Sequence, residues 1–143
     1  MVRSHGGREA EFHLDDSAGS LKDLSSFVDN VDAPSNIDTA EVTGLNEARK
    51  SYIVGQIDTP VSISGSYDDT ATTGAHTVLA GLIGGTTGFT MQFYPRGSAS
   101  GSPSLVGEVL MAGYQISAPV AGKVSFTASF VPFDATGIVW GTV

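Results

Sequence analysis

The sequence has no cysteine among its 143 residues, so a disulfide or a thiolate metal site is impossible. Basic residues are also scarce, with 7 Lys and Arg against 15 Asp and Glu, a formal net charge of −8. Because Lys and Arg carry the affinity of proteins for phosphate, this balance argues against an ordinary nucleic-acid-binding protein. No apolar run approaches the length of a membrane span. We therefore expect the protein to be made in the cytosol and not to insert into a membrane.

The charge is unevenly placed along the chain. Residues 1–69 hold 13 acids and 5 bases, whereas residues 70–143 hold two of each, Glu108, Asp134, Arg96 and Lys123. This asymmetry predicts one acidic and one nearly uncharged surface. In residues 70–143, few charges are present to cause electrostatic repulsion between copies of the chain.

Residue patterns that carry catalysis or metal binding are missing from the sequence. The histidines His5, His13 and His76 have no metal-ligand spacing. The acid pairs Asp15-Asp16 and Asp68-Asp69 are adjacent in sequence, and neighbouring residues on a strand point to opposite faces. We therefore predict no enzyme activity, no metal site and no cofactor.

Alternating apolar and polar residues predict seven or eight strands. Between residues 61 and 67 every second residue is serine, and the same period recurs in the second half of the chain. Residues 37–43 are predicted to form a first long strand. Residues 44–56 are predicted to form a charged segment outside the sheet, which we call the excursion. Residues 57–67 are predicted to form the next strand of the sheet. The later strands are expected at 89–94, 106–118, 123–131 and 137–143, with Leu110, Ala112, Tyr114 and Ile116 on one side of the second of these.

One helix is predicted, from Ala75 to Ile83, because its apolar residues fall on a single face. Thr72 or Thr73 is expected to cap its start. Residues 21–31 fit either a helix or a turn leading into a strand.

The fold class expected is mainly β, a barrel or sandwich with this one flanking helix. Residues 1–20 are expected to form a flexible arm with a strand at 11–14, and residues 21–143 a single β domain.

The stretch from Glu41 to Asp69 resembles the central signature of tail tube proteins, the major tail proteins of bacteriophages with long non-contractile tails. The matching pieces in that stretch are Glu41-Val42-Thr43, Lys50-Ser51-Tyr52-Ile53, Ser62-Ile63-Ser64-Gly65 and Tyr67-Asp68-Asp69. The resemblance continues to the end of the chain, through pieces that include Asp23 to Asp29, Gly107 to Leu110 and Gly122 to Phe126.

The resemblance implies a structural virion protein with no catalytic activity. Such proteins form hexameric rings that stack into a hollow tail tube, through which phage DNA is delivered to the host. The implied partners are other copies of the chain, a tape-measure protein and tail terminator or initiator proteins, with DNA as passing cargo that is not bound specifically. The protein would be made in the bacterial cytoplasm and located in the virion tail.

The same resemblance suggests which residues make the assembly contacts. The excursion 44–56 and the arm 1–16 would reach a neighbouring ring, with Glu47, Arg49, Lys50 and Tyr52 as inter-ring residues. For Arg49 and Lys50, a solvated loop is an equal alternative. The strands at 106–118 and 123–131 would belong to an intersubunit sheet, covered on its outside by the helix, with Val109, Met111, Lys123, Ser125 and Thr127 as its contact residues. The sequence does not identify the acids that would face the lumen.

Three other functions remain open at this point. A tube protein of a secretion system, such as the ring-forming tube protein of type VI secretion, would share the barrel. A monomeric β-sandwich binding module would present exposed coplanar aromatic side chains, a pattern that the tyrosines lack. A small enzyme has no residue constellation to support it. A module or an enzyme would stay small in solution, whereas a tube protein would polymerise.

Overall fold

Ten strands, one α-helix and one short 3₁₀ helix form the part of the chain that the structure describes, residues 7–143 of a computed structural model. The 3₁₀ helix spans Gly7–Glu9, and the α-helix α1 spans Ala75–Gly81. The strands are β1 (Glu11–Asp15), β2 (Leu21–Asp23), β3 (Val28–Asp32), β4 (Asn36–Glu41), β5 (Tyr52–Asp58), β6 (Val61–Ser66), β7 (Phe89–Tyr94), β8 (Pro103–Ser117), β9 (Ser125–Pro132) and β10 (Val139–Thr142).

Eight of these strands form one antiparallel sheet in the order β2-β1-β7-β8-β9-β6-β3, with β10 paired to β8. The long strand β8 joins the two halves of this sheet. Its residues 105–109 pair with β7, and its residues 109–117 pair with β9. Val109 has partners on both strands, so β7 and β9 lie on opposite edges of β8. β4 and β5 form a separate hairpin that is not part of this sheet.

The core lies on one face of the curled sheet, where alternate residues of its strands meet α1. The pattern is clearest in β6 and β9, in which every second side chain is buried. α1 contributes Ala75, Val78 and Leu79 to the same core, and Leu82 follows directly after it. Full burial of one such large apolar side chain stabilises a fold by roughly 1.5–3 kcal/mol. Besides Leu79 and Leu82, the largest buried side chains are Phe12, Leu14, Leu24, Ile63, Met91, Leu105, Phe126 and Phe130.

The predicted fold class, mainly β with one flanking helix, is confirmed. The helix ends at Gly81, two residues before the predicted end. The predicted cap at Thr72 or Thr73 is wrong, because Gly74 occupies the cap position and no side chain caps the helix. Thr72 instead adopts a left-handed backbone conformation with φ of 72°. That conformation is strained for a β-branched residue.

The region predicted as strand, excursion and strand between residues 37 and 67 differs from the structure. The first strand belongs to the β4–β5 hairpin and not to the main sheet, and the second half of the excursion is strand β5. The sheet resumes only at Val61, since Thr59 and Pro60 separate β5 from β6. Proline lacks the N–H that a strand needs for its ladder, which explains the break.

Two further local predictions have clear outcomes. In residues 21–31 the structure has a turn between β2 and β3, so the strand alternative is correct and the helix alternative is wrong. The prediction that Leu110, Ala112, Tyr114 and Ile116 share one side of a strand is also wrong. An irregularity between Met111 and Gly113 shifts the register, so Met111 and Tyr114 pair with core residues of β9 while Leu110 lies on the opposite face.

The segment predicted as a flexible arm contains β1, which pairs with both β2 and β7 and buries Phe12 and Leu14 in the core. Residues 1–6 lie outside the described part, as does His5 among the candidate metal ligands. The boundary between an arm and a domain at residue 20 stays a prediction.

Candidate functional site

The face of the sheet opposite the core carries a regular array of small polar side chains over β3, β6, β9 and the second half of β8. One row across the four strands is Asn30, Ser64, Thr127 and Gln115, and a parallel row is Asp32, Ser62, Ser129 and Gly113. Ser66, Ser125 and Ser117 form a third row across three of the strands. We call these residues the polar face.

Charge on the polar face is confined to one margin. Asp32 is exposed on β3, and Asp29, at a register shift of the same strand, accepts a hydrogen bond from the Lys123 ammonium group. Lys123 also donates to the hydroxyl group of Ser66. Lys123, which reaches this margin, is therefore already paired with a carboxylate, and the residues of the polar face offer hydroxyl and amide groups and the Asp32 carboxylate but no Lys or Arg of their own. Such a surface has little affinity for phosphate.

Both outer edges of this four-stranded region are open. β3 pairs with β6 alone, so its other edge has no partner strand in residues 7–143. Residues 110–117 of β8 pair with β9 on one edge, while β7 stops at Val109 on the other. Unpaired N–H and C=O groups along a strand are a template for pairing with another chain. β3 and β8 run in opposite directions, which makes the two edges compatible with antiparallel pairing between copies.

A cavity of about 640 Å³ lies beside the open edge of β3. β3 contributes Val28 to Val31 to its wall, and Phe12, Phe93 and Arg8 line other sides. The open edge of β3 therefore borders a recess and not a flat surface.

Contacts on the core side fix the second half of β8. The Tyr114 hydroxyl group lies 2.8 Å from Nδ1 of His76 in the first turn of α1, and the His76 ring packs against Tyr67 at a centroid distance of 4.9 Å. Burial raises the pKa of the Tyr114 phenol, and the neighbouring Tyr67 raises it further. Tyr114 thus stays a neutral hydroxyl that links the helix to the strand with the open edge.

The β4–β5 hairpin presents side chains that nothing else in the described chain covers. Every residue of both strands is exposed. The register places Ile37 with Ile57, Thr39 with Val54 and Glu41 with Tyr52. The register shifts between Ile37 and Thr39 because β5 contains a bulge with one extra residue. β4 itself alternates regularly, so these six side chains share one face. We call this the apolar face of the hairpin. Four exposed apolar side chains on one face, Ile37, Ile57, Val54 and Tyr52, beside Thr39 and Glu41, mark a candidate interaction site.

The four predicted inter-ring residues lie together at the tip of this hairpin. Glu47 accepts a hydrogen bond from the Ser51 hydroxyl group, and Tyr52 begins β5 with about half of its surface exposed. Arg49 and Lys50 are exposed in the loop between them. Neither forms an ion pair with another described residue. The structure places the four residues at one end of the molecule's exposed hairpin, and their contact with another ring stays a prediction.

The predicted intersubunit-sheet residues are spread over different environments. Val109 is buried in the core, and Met111 packs against the core on the second half of β8. Ser125 and Thr127 belong to the polar face of β9, a strand whose two edges are both occupied, by β6 and β8. Lys123 lies in the turn before β9. Their contact with a second subunit stays a prediction.

Sequence reasoning missed the open edge of β3 and the separate nature of the hairpin. The segment 28–32 reads Val-Asp-Asn-Val-Asp and lacks the strict alternation of a strand, because the register shift at Asp29 interrupts it. Gly55 was the one sequence feature that pointed to the register shift in the hairpin. A Cβ atom added at this glycine would lie 3.2 Å from Asp38.

The residues that the structure describes contain no cluster of candidate metal ligands. Within 7–143, no group of three or more His, Asp or Glu side chains is placed to hold a metal ion. In the same part of the chain, none of the helices has the length and apolar character needed to cross a membrane.

Comparison with solved structures relates this architecture to known assemblies. The chain superposes on a subunit from the tail of an empty gene transfer agent particle, refined with helical C6 symmetry, with a TM-score of 0.72 over 98% of this chain and 99% of that chain. It superposes on the SPP1 tail tube protein with a TM-score of 0.74 over 98% of this chain and 80% of that chain. The fold is that of a phage tail tube subunit.

The likeness to these proteins is structural. Identity is 14% to the gene transfer agent protein and 10% to the SPP1 protein. A chain of the sixfold-symmetrised baseplate of the anti-feeding prophage shares the fold at a TM-score of 0.66, with 10% identity over 99% of this chain and 97% of that chain. Comparisons of the sequence with the models of protein families and with curated proteins give no match.

Proposed function

We propose that this protein is a structural subunit of a phage-type tail tube, which assembles into stacked rings around a channel for DNA. The observation that carries the proposal is the pair of open edges on one four-stranded region whose exposed face is polar and has no Lys or Arg among its own residues. Pairing the β3 edge of one copy with the β8 edge of the next is a head-to-tail contact, which generates a ring when the rotation closes.

The sixfold symmetry of the gene transfer agent tail suggests how many copies close the ring. Six copies of a four-stranded region would form a continuous barrel of 24 strands. In such a barrel the core and α1 of each subunit lie outside, so the polar face lines the channel and α1 covers the outside of the intersubunit sheet. Hydroxyl and amide groups with scattered carboxylates would let DNA pass without retaining it.

The hairpin would then connect successive rings. Every residue of both its strands is exposed, and it carries Glu47, Arg49, Lys50 and Tyr52 at or near its tip. Stacking through it would turn closed rings into an open filament. Tape-measure and tail terminator or initiator proteins would limit the length of that filament, and the assembled protein would reside in the virion tail.

Electron microscopy and light scattering of the purified recombinant chain test this proposal. Rings or hollow tubes of uniform width would support it, and so would a particle mass that is a multiple of six subunits. A species that stays monomeric at every concentration, also when it is expressed together with the neighbouring tail genes, would contradict it.

A tube of a secretion-related or contractile particle is the second candidate function. The structural match to the anti-feeding prophage baseplate favours it, because that chain has the same fold over nearly its whole length. The two candidates share the ring and the channel. They differ in cargo, so recovery of DNA-filled or protein-filled particles from the native host would separate them.

A further inference from the structure

The recess of about 640 Å³ beside β3 has an apolar wall that continues the core. Phe12 in this wall belongs to the core and is 1% exposed. Phe93, Val28 and Val31 are half-buried and pack against the same core. This part of the recess therefore lies on the core side of the sheet. The described residues leave it unfilled, directly beside the open edge of β3.

A carboxylate of the recess also lacks a hydrogen-bond partner. Glu11 lines the recess, and its Oε2 atom is buried without a partner in the described part of the chain. A buried acceptor without a donor is costly, so a fitting occupant brings an N–H or O–H group together with apolar surface. The edge of a β-strand supplies both, because its unpaired N–H groups lie between its side chains. A hydrocarbon ligand supplies no donor.

The open segment of β8, residues 110–117, offers one apolar side chain on the core side. Three residues of this segment pair with buried residues of β9 and so point to the core side, namely Met111, Tyr114 and Ile116. Met111 and Tyr114 pack against the core of their own subunit. Ile116 is outside that cluster and is 40% exposed. Of the three side chains, Ile116 is the one left to contact another copy.

The strand directions bring Ile116 to the recess when the two edges pair. β3 and β8 run in opposite directions, so the start of β3, which lines the recess, lies beside the end of the neighbour's open segment. Residues directly opposite each other in an antiparallel pair share a face, with Cβ atoms about 4.5–5.5 Å apart. Val28 and Val31 lie opposite positions two residues apart on β6. Registers that differ by two residues therefore place Ile116 beside Val28 or beside Val31.

We propose that the Ile116 side chain of one copy fills the recess beside β3 of the next copy and so fixes the register in which the two edges pair. The inference rests on the proposed function and adds the side chain and the recess that set its geometry. Rows of small polar residues specify a register weakly, and an apolar side chain in a fitted hollow specifies it strongly. The recess is larger than one side chain, so the end of β8 that carries Ile116 occupies its outer part and brings N–H donors near Glu11.

Disulfide trapping tests the contact, because the native chain has no cysteine. Ile116→Cys subunits are mixed with affinity-tagged Val28→Cys or Val31→Cys subunits and oxidised during assembly. A disulfide requires Cβ atoms about 3.5–4.5 Å apart, so at least one of the two mixtures should give mixed dimers. Gln115→Cys is the matched control, since this neighbour of Ile116 lies on the polar face. Mixed dimers that form equally well with the control would overturn the inference.

Two serine variants test the apolar side chain itself. We expect Ile116→Ser to lower the assembled fraction about tenfold or more, because it removes the buried apolar surface of the contact. Gln115→Ser should stay within about twofold of the native chain, and Ile116→Val should keep most of the assembly. Melting of dilute subunits, followed by circular dichroism, shows whether each variant folds. If Ile116→Ser folds and assembles as well as Gln115→Ser, the inference is wrong.

A chain without residues 1–6 tests another occupant of the recess. These residues precede Arg8, which lines it. The shortened chain should give the same mixed disulfides as the full chain. Disulfides that appear only after residues 1–6 are removed would show that this segment takes the place assigned to Ile116.

The outcomes also separate this inference from the proposed function. Tubes that form without a disulfide between Ile116→Cys and either β3 variant contradict the recess contact and leave the tube function standing. A native chain that never assembles contradicts both.

Discussion

At the residue scale, Gly65 is a position where the sheet tolerates no side chain. It lies in β6 opposite Val28 of β3. A Cβ atom added there would overlap the Phe27 carbonyl oxygen and lie 2.8 Å from the Val28 Cα. Both neighbours are backbone atoms, which cannot rotate away. Gly65 therefore allows β3 to approach β6 and so to present its open edge.

Substitution of Gly65 tests this role. We expect Gly65→Ala to lower the free energy of unfolding by roughly 1–3 kcal/mol, as overpacking of a closely packed site does. Urea denaturation of dilute subunits, followed by circular dichroism, measures the loss. Gly113→Ala is the matched control in the same four-stranded region, because its Cβ would meet only the mobile Ser129 hydroxyl group, at 3.0 Å. If the two variants are equally stable, β3 does not approach β6 as closely as described.

At the element scale, the tip of the hairpin is separable from the fold. The last described backbone pair before the tip joins the Val42 amide to the Ser51 carbonyl at 2.9 Å. Replacing residues 43–50 with Asn-Gly would close the hairpin with a tight turn and remove Glu47, Arg49 and Lys50. We expect an unchanged melting temperature, because the tip packs on nothing else in the described chain, and the loss of long tubes by electron microscopy.

A Gly-Ser tip of the original length serves as the control for this variant. If it also fails to form long tubes, the side chains of the tip are required, whereas recovery of tubes would show that length alone matters. Full-length tubes from the Asn-Gly variant would contradict an inter-ring role for the tip.

The two open edges make a second prediction at this scale. Asn30 and Gln115 stand at opposite ends of one row of the polar face, separated by β6 and β9. Three strand spacings of about 4.8 Å keep them too far apart for a disulfide within one copy. Because the chain has no cysteine, a mixture of Asn30→Cys and Gln115→Cys subunits can join only at introduced sites. We expect a short bis-maleimide linker to couple these two variants into dimers under assembly conditions.

The doubly substituted chain should give a ladder of products that ends at the hexamer. Asn30→Cys mixed with Thr77→Cys is the control, since Thr77 is exposed on α1. Coupling of the control pair at the same rate as the edge pair would contradict edge-to-edge pairing of β3 with β8.

Local sequence pattern predicted the elements well where each strand is regular. Serine alternation in β6 and phenylalanine alternation in β9 marked the buried face correctly. The pattern failed at β8, because the irregularity at Ala112 moves Leu110 and Tyr114 to opposite faces. It also failed at β4, because a period of two residues identifies a strand and not the sheet that it joins. The candidate site depends on such long-range pairing. The β3 edge is open because β3 pairs with β6 alone, and the β8 edge is open because β7 stops at Val109.

At the scale of the whole molecule, the distribution of charge and the open edges support the same assembly. The polar face carries hydroxyl and amide side chains, and Lys123 at its margin is paired with Asp29. The apolar face of the hairpin remains uncovered within the described chain. A single subunit therefore leaves two strand edges and the apolar face of the hairpin without partners, and head-to-tail rings stacked along an axis would give all three a partner.

The most direct test of this account is a cryo-electron microscopy reconstruction of the tubes formed by the purified chain. The account predicts sixfold rings in which β3 of each subunit pairs with residues 110–117 of β8 in the next, with Ser62, Ser64 and Thr127 facing the channel. A reconstruction in which these edges remain unpaired, or in which the polar face lies on the outside of the tube, would contradict it.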